Sequence, residues 1–281
     1  MGATLSLLNN IPSLLAENNL DLTQANLNKT LEQLSSGSRI NSGADDPAGL
    51  AIADGLEANI AALQQSAANA NDGVGALQVA DGALSQVTTM LNRAVSLATE
   101  AANGTVSSDQ RTAINAEFQQ ILSEINTIGL ATTFNGTSVF TTNSTSIFMS
   151  DGSSAAANST IAVTIGQLST TTIGGTAVTL GSDDLSSAGD ATTALNDINT
   201  AIAAVAAARG NLGGTMNRLS DAVNVMQNEA TNYTSAESAI TSADIGATVS
   251  NLSQFQILQQ TGMAALAQAN ASQQAVLKLL Q

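Results

Sequence analysis

Apolar and alanine positions recur at steps of four and three over two long stretches near opposite ends of the chain. The first passes through Leu56, Ile60, Leu63, Ala67, Ala70, Val74, Leu77, Ala80, Leu84, Val87, Leu91, Ala94 and Ala98. The second passes through Leu195, Ile198, Ile202, Val205, Arg209, Leu212, Met216, Leu219, Val223, Met226, Ala230 and Tyr233, with Arg209 breaking the apolar run. A repeat of about 3.5 residues held over about six heptads turns one stripe of each helix toward a partner, which is a coiled-coil seam. Two matched seams predict that the terminal parts of the chain pack on each other while the middle hangs out as an excursion. The predicted fold class is therefore mainly α: long antiparallel helices forming a coiled-coil-like bundle, with a small β-hairpin excursion in the middle of the chain.

Local signals divide the chain further. Residues 1–34 read as helix, with Leu5, Leu8, Ile11, Leu15, Leu22, Leu27, Leu31 and Leu34 in the apolar places and Pro12 near the start, where it is tolerated. Ser35 to Gly49 is a break, and Asp46-Pro47 supplies a capping side chain followed by Pro in the first turn of the next helix. That helix is predicted from Pro47 to about Ala102, roughly 80 Å at 1.5 Å per residue, a length that argues against a compact globular domain. Asn103-Gly104 ends it, and Ser107 or Ser108 with Asp109 opens another whose apolar set is Ile114, Phe118, Ile121, Ile125 and Ile128. Short β-like runs follow at Ser138–Phe140, Ser146–Met149, Ile161–Ile165 and Ala177–Leu180, with turn signals at Asn135-Gly136, Asp151-Gly152 and Gly174-Gly175. Between Thr132 and Thr193, 26 of 62 residues are Ser or Thr, so this excursion is rich in hydroxyls. Helix is predicted again from about Ala191 to Ser235, and a last helical segment, Ile245 to Leu280, keeps the heptad at Val249, Leu252, Met263, Leu266, Leu277 and Leu280. Gly73, Gly75, Gly82, Gly213 and Gly214 lie inside long helices, at about 1 kcal/mol each against Ala. Close packing explains them, and so does a helix that must bend or slide.

Composition removes whole classes of function. There is no Cys, His or Trp, so thiolate and imidazole zinc sites and the Cys-His and Ser-His-Asp nucleophile sets are impossible. No catalytic, cofactor-binding or metal residues are assigned, no cofactor is expected, and the chain is not expected to be an enzyme. Its net charge of −15 combines 22 acidic residues with 7 basic ones, five of them the scattered Arg39, Arg93, Arg111, Arg209 and Arg218. No basic patch exists for nucleic acid, and an anionic membrane surface would repel the chain. No run reaches the ~18 apolar residues of a membrane span. Met1 to Leu22 has neither the positive start nor the continuous apolar stretch of a secretory signal. The expectation is a cytosolic chain, or one that leaves the cell by a route using no cleaved signal.

Several motifs, in order, resemble the bacterial flagellin family. Leu14-Leu15-Ala16-Glu17-Asn18-Asn19-Leu20, Leu34-Ser35-Ser36-Gly37-Ser38-Arg39-Ile40-Asn41-Ser42, Asp45-Asp46-Pro47-Ala48-Gly49 and Asn69-Ala70-Asn71-Asp72-Gly73 are similar to its amino-terminal signature. Ser250-Asn251-Leu252-Ser253, Gln256-Ile257-Leu258-Gln259-Gln260, Leu266-Ala267-Gln268-Ala269-Asn270 and Val276-Leu277-Lys278-Leu279-Leu280 are similar to its carboxy-terminal signature. The resemblance covers about 1–135 and 190–281.

The resemblance implies a structural subunit that self-assembles into the bacterial flagellar filament for swimming motility. It implies export in the unfolded state through the flagellar secretion channel, polymerisation at the tip, and a secreted, extracellular location in the flagellum. The implied partners are other copies of the chain, a flagellar export chaperone, and the filament cap and hook–filament junction proteins. The implied domains are inner-core terminal helices at 1–45 and 241–281, an outer-core helical bundle at 46–135 and 190–240, and a small β-rich variable excursion at 136–189. The middle is shorter than in larger family members, which insert whole outer domains there.

Three sets of site residues are expected. The filament-core interface falls on Leu5, Leu8, Leu15, Leu27, Leu31, Val249, Leu252, Met263, Leu266, Leu277 and Leu280. In the family pattern an Arg, a Leu four residues on, and a Glu on the next helix face the flagellin-sensing Toll-like receptor. Arg93, Leu97 and Glu117 match those places, while Val95 and Ser96 depart from the Arg-Glu pair of many receptor-stimulating members. The other reading of Arg93 and Glu117 is filament contact or plain surface. Glycan acceptors on the hydroxyl-rich excursion are Thr145, Ser146, Ser159, Thr160 and Thr171, the alternative being hydroxyls that only keep a small β surface soluble.

Overall fold

The computed structural model describes residues 10–151 and 160–279, with side chains described as far as 275. Leu5, Leu8, Ser159 and Leu280, the side chain of Leu277, and the Gly152 half of one expected turn lie outside the described residues. Five helices, α1 Ile11–Ser36, α2 Pro47–Ala102, α3 Ser108–Ala131, α4 Ala188–Thr241 and α5 Ile245–Leu279, account for most of the chain. Between α3 and α4 the described residues form six short strands: β1 Thr133–Phe134, β2 Thr137–Ser138, β3 Thr145–Phe148, β4 Thr160–Val163, β5 Thr172–Ile173 and β6 Thr176–Ala177. The chain forms two compact units, Met1–Glu57 with Tyr233–Gln281, and Ala58–Asn232.

Helix boundaries follow their capping chemistry. Asn10 caps α1 by accepting from the Ser13 N–H at 3.1 Å, and Pro12 falls in the first turn, where its missing N–H has no intrahelical partner to lose. Gly37, at φ 72°, closes α1 in the left-handed region. Ser107 and Gln110 form a reciprocal capping box on α3. A similar arrangement at Ser187 and Asp190 starts α4 a few residues ahead of the expected Ala191: Ser187 Oγ accepts the Asp190 N–H at 3.1 Å and donates to its carboxylate at 2.6 Å. The carboxy-terminal carbonyls around the end of α2 receive the Arg111 guanidinium, at 2.8 Å on Ala101 and 2.9 Å on Asn103.

The strands make three separate antiparallel hairpins. Two turn on dipeptides with positive φ, Asn135-Gly136 at 49° and 75° and Gly174-Gly175 at 59° and 88°; positive φ at both central residues is the two-residue hairpin geometry that matches strand twist. Pairing is shorter than the apolar runs suggest. Val139 and Phe140 are buried but lie beyond the β1–β2 ladder, and Leu180 opens a 3-10 turn, Leu180–Ser182, instead of ending a strand. Side chains of α2 serve the outer side of β3: Ser66 Oγ donates to the Ser150 carbonyl and accepts its N–H, both at 2.9 Å, and Asn69 donates to the Phe148 carbonyl at 3.2 Å.

In the second unit the core runs along α2 from Leu63 to Ala101, where Leu77, Leu84, Leu91 and Leu97 are all but inaccessible to solvent. Fully burying such a side chain contributes about 1.5–3 kcal/mol. In its first half the α4 seam differs from its sequence reading at every second position. Ala194, Ala201 and Ala208 are buried, and Leu195, Ile202 and Arg209 sit half-buried at its flank. On α3, Leu122 and Gly129 are buried where Ile121 and Ile128 were expected.

The cause is the middle of the chain, which packs back onto the helices. The β5–β6 turn seats Gly174 against Ala208 and near the Ala204 carbonyl, and the Leu168 carbonyl lies directly over Gly129. Leu168, Ile173, Val178, Leu180 and Leu185 are buried there. Arg209 leaves the seam for a two-point pair with Asp81 of α2, at 2.7 and 3.2 Å. Its guanidinium draws the Asp81 carboxyl below the usual carboxylate range. Gly73 is explained by close approach, since Ile147 of β3 and Leu219 of α4 meet there. Gly82, Gly213 and Gly214 have nothing within 4 Å of an added Cβ.

Candidate interaction surface

In the first unit α1 and α5 lie antiparallel. Asn10 donates to the Ala269 carbonyl at 3.4 Å, Ser13 to Asn270 Oδ1 at 3.0 Å, and Gln259 to Gln24 Oε1 at 2.6 Å. At the other end of the pair, the Arg39 N–H donates to the Thr241 carbonyl, the Ala243 N–H to the Gly37 carbonyl at 2.9 Å, and Arg39 Nη2 to the Ile240 carbonyl at 2.7 Å. Asp45 gathers the turn after α1, accepting the N–H of Asn41 and of Ser42 at 3.2 and 3.0 Å and the Lys29 ammonium at 2.7 Å.

The Lys29 hydrogen bond, helped by the two backbone donors, holds the Asp45 carboxyl down to about 2. A carboxylate lowered in the folded state stabilises above its unfolded value, near 3.9, and stops doing so as pH falls toward the folded value. Acidification from pH 4 to 2 should therefore loosen this turn, read from the Asp45 carboxyl and Ser42 amide resonances. Lys29→Met should move the midpoint upward; an unmoved midpoint would exclude Lys29 as the cause.

The seam between the two helices keeps the heptad but mixes large apolar side chains with small and polar ones. On α1 the covered positions are Ser13, Ala16, Leu20, Thr23, Leu27, Thr30 and Leu34; on α5 they are Thr248, Leu252, Phe255, Gln259, Gly262, Leu266, Ala269 and Gln273. A further set of large apolar side chains points away from the seam. Ile11, Leu14, Leu15, Leu22 and Leu31 of α1 and Ile245, Val249, Ile257, Leu258 and Met263 of α5 are exposed, with Leu15 at 61% and Leu22 at 64%. Leu15 and Leu22 are seven apart, and Val249 and Met263 fourteen, so each pair shares one helix face.

The expected interface residues thus divide. Leu27, Leu252 and Leu266 pack between α1 and α5 within the chain, whereas Leu15, Leu31, Val249 and Met263 face outward. Leu14, Ile257 and Leu258 belong to the outward set, although they fall outside the heptad places read from sequence. Their signal was the doubling of apolar neighbours at Leu14-Leu15 and Ile257-Leu258, which one stripe cannot hold.

The second residue set also divides. Arg93 and Glu117 form a two-point pair across α2 and α3, at 2.7 and 3.0 Å, with both side chains well exposed. Each strengthens the other's charge, Glu117 being lowered and Arg93 raised by the shared hydrogen bonds. Leu97 is only 2% exposed. Its side chain is core, which corrects the expectation that it faces outward with the other two. The hydroxyls of Thr145, Ser146, Thr160 and Thr171 are on exposed residues of the excursion.

A cleft of about 510 Å³ lies beside β3–β4, lined by Asn69, Asp72, Gly73, Phe134, Ile147 and Phe148 among others. Asp72 is the only ionisable residue in its lining among the described residues, and these supply no acid–base pair. Among the described residues no group of three or more acidic side chains could hold a metal ion, and no helix is long and apolar enough to cross a membrane.

What the chain offers is an apolar surface on a helix pair, and its sequence has relatives among known proteins. Models of the bacterial flagellin N-terminal and C-terminal helical regions match residues 7–145 and 195–280. A flagellin of Halalkalibacterium halodurans is 33% identical over 271 residues, spanning 96% of this chain and 98% of its own. The Treponema pallidum flagellin FlaB1 is 32% identical over 286 residues, with the same two shares. A crystal structure of Bacillus cereus flagellin aligns at TM-score 0.48 with 28% identity, over 60% of this chain and 94% of that one. Likeness that runs nearly end to end in both partners, and takes in residues of all five helices, makes this chain a member of the bacterial flagellin family.

Proposed function

We propose that the chain is a structural subunit of the bacterial flagellar filament and polymerises with copies of itself through the outward apolar faces of α1 and α5. One observation carries this reading. Leu14, Leu15, Leu22, Ile257 and Met263 are at least half exposed on helices whose mutual seam is already filled. Large exposed apolar surface marks a contact site in a protein that functions in water. The low charged fraction of 10% limits the polar groups that must be stripped of water when such faces meet.

Export in the unfolded state, followed by assembly at the filament tip outside the cell, belongs to the same reading. So do an export chaperone, a cap and hook–filament junction proteins as partners. A chain without Cys cannot be trapped by a disulfide on that route. Glycans on Thr145, Ser146, Thr160 or Thr171 would sit on exposed hydroxyls, and a native mass equal to the bare polypeptide would remove them. Any contact with the innate receptor would rest on the Arg93–Glu117 pair without Leu97.

The test is electron microscopy of the purified protein after seeding. Ordered, high-mass filaments are expected, and a protein that stays dispersed with competent seeds would overturn the proposal.

A further inference from the structure

Two Asn-Gly pairs occur in the chain, Asn103-Gly104 and Asn135-Gly136, and the structure sets them in different surroundings. Asn135-Gly136 is the two-residue turn of the β1–β2 hairpin, with positive φ at both residues and paired strand on either side. Asn103-Gly104 lies in the turn from α2 to α3, and both residues are exposed. The Asn103 side chain is folded back over the peptide that follows it: its Oδ1 accepts the Thr105 N–H at 3.2 Å, which makes an Asx turn. Its main-chain carbonyl accepts the Val106 N–H at 3.2 Å and Arg111 Nη2 at 2.9 Å. Nε of the same guanidinium is anchored on the Ala101 carbonyl at 2.8 Å. The Gly104 N–H donates to no backbone carbonyl among the described residues.

A glycine nitrogen, unshielded by any Cβ, is the backbone nitrogen best able to attack the side chain of a preceding asparagine. We propose that Asn103 is a self-modifying site: it loses its side-chain amide to the Gly104 nitrogen and reopens to isoaspartate, with the Thr105 N–H activating the first step and Arg111 directing the second.

In the first step hydroxide takes the Gly104 amide proton and the nitrogen attacks Asn103 Cγ. The bond from that carbon to Nδ2 then breaks and ammonia leaves, closing a five-membered imide. The Asx turn holds Cγ over the Gly104 nitrogen, the approach that a near-attack arrangement requires. The Thr105 N–H already points at Oδ1, the oxygen that becomes negative as the nitrogen adds. In the second step water adds to the former main-chain carbonyl carbon of Asn103, and the bond from that carbon to the Gly104 nitrogen breaks. The nitrogen recovers a proton, the carbonyl becomes a carboxylate, and the chain now runs through the side-chain carbon. One water enters, one ammonia leaves, and nothing is oxidised.

Arg111 sits on the oxygen of the carbonyl that water attacks in this second step. Its guanidinium stabilises negative charge there and pairs with the carboxylate that forms. Opening at the other carbonyl, which gives ordinary aspartate, has only the neutral Thr105 donor. The same attack at Asn135 must first rotate a backbone that the Phe134–Thr137 pairing holds. Conversion of Asn103 needs no enzyme and no cofactor, so the fraction converted records the age of the chain.

The full-length protein, purified and held in mildly alkaline buffer, tests this. Cleavage after Glu100 and Glu117 yields residues 101–117, in which only Asn103 precedes a glycine. Mass spectrometry should find an amide exchanged for a hydroxyl at Asn103 about tenfold sooner than at Asn135, and the two rates should converge in denaturant. Chromatography should resolve two products of that mass, with isoaspartate the larger. Arg111→Gln should lose ammonia as fast as wild type and lower the isoaspartate-to-aspartate ratio by about threefold, the share of one partly screened charge-assisted bond. Gly104→Ala, whose Cβ meets nothing within 4 Å, should fold as wild type and convert about tenfold more slowly. Asn135 converting as fast as Asn103 in the folded protein, a lead of Asn103 that persists in denaturant, or aspartate as the only product overturns the proposal. So does an unchanged product ratio in Arg111→Gln or an unchanged rate in Gly104→Ala. Should Arg111→Gln fail to fold, the order of the two sites and the Gly104→Ala rate decide alone.

Discussion

A chain carrying Leu15→Asp should fold as a monomer much as before and fail to extend filaments. Leu15 is 61% exposed, so in the monomer the new carboxylate stays in water and the change costs within about 0.5 kcal/mol. Against an apolar face of a neighbouring copy the same carboxylate would be unpaired and desolvated, at several kcal/mol. Each 1.4 kcal/mol is about tenfold in an equilibrium, so elongation should fall by roughly a hundredfold or more. Circular dichroism of the monomer and seeded elongation followed by light scattering read the two halves separately. Leu266→Asp, at a seam position between α1 and α5, should also block elongation but weaken the helix pair itself. Normal elongation by Leu15→Asp would show that this face meets water in the polymer.

Gly129→Ala should be among the most damaging single changes in the second unit. An added Cβ would run into the backbone carbonyl of Leu168. Backbone cannot rotate away as a side-chain end can, so relief requires shifting the segment around the buried Leu168 off α3. Overpacking of this kind costs about 1–3 kcal/mol, occasionally more, and a lower denaturant midpoint with an unchanged slope is the expected readout. Gly82→Ala is the opposite case. Nothing lies within 4 Å of its added Cβ, so the monomer should gain up to about 1 kcal/mol from better helix propensity. If Gly129→Ala left the midpoint unmoved, the close approach of Leu168 to α3 would be wrong.

The helices were legible because their signals are local. Asp46-Pro47, Ser107 with its capping partner, and Asn103-Gly104 fixed boundaries to within a few residues, and the hairpin turns were visible in Asn135-Gly136 and Gly174-Gly175. Burial was legible only where helices alone make it. Ala194, Ala201 and Ala208 displaced Leu195, Ile202 and Arg209 from the seam, and Leu122 and Gly129 displaced Ile121 and Ile128. In each helix the β segments cover a flank that a two-helix pattern leaves to solvent, as Gly174 does over Ala208. No periodicity in α4 announces a hairpin lying on it. The outward set on α1 and α5 was half legible for a related reason. A heptad marks a stripe, and both stripes of these helices carry apolar residues, so Leu27 and Leu15 look alike until one is seen packed and the other bare. Leu97 was misplaced because the family pattern supplied its position without its depth.

The mixed seam between α1 and α5 has a consequence for how such a chain comes to be stable. An interface in which Ser13, Thr23, Thr30, Gln24 and Gln259 alternate with the leucines gains less from hydrophobic burial than an all-apolar seam, and it must still offset the entropy of ordering two helices. In the proposed polymer the larger share of their stabilisation would come from neighbours and would obey mass action, growing with the concentration of sites that bind the ordered form. The terminal helices would then be a population set by the supply of docking sites, low in a dilute solution of single chains and near complete at a growing end. The step that orders them would be the same step that adds a subunit, so a chain waiting in solution would hold its adhesive faces only part of the time.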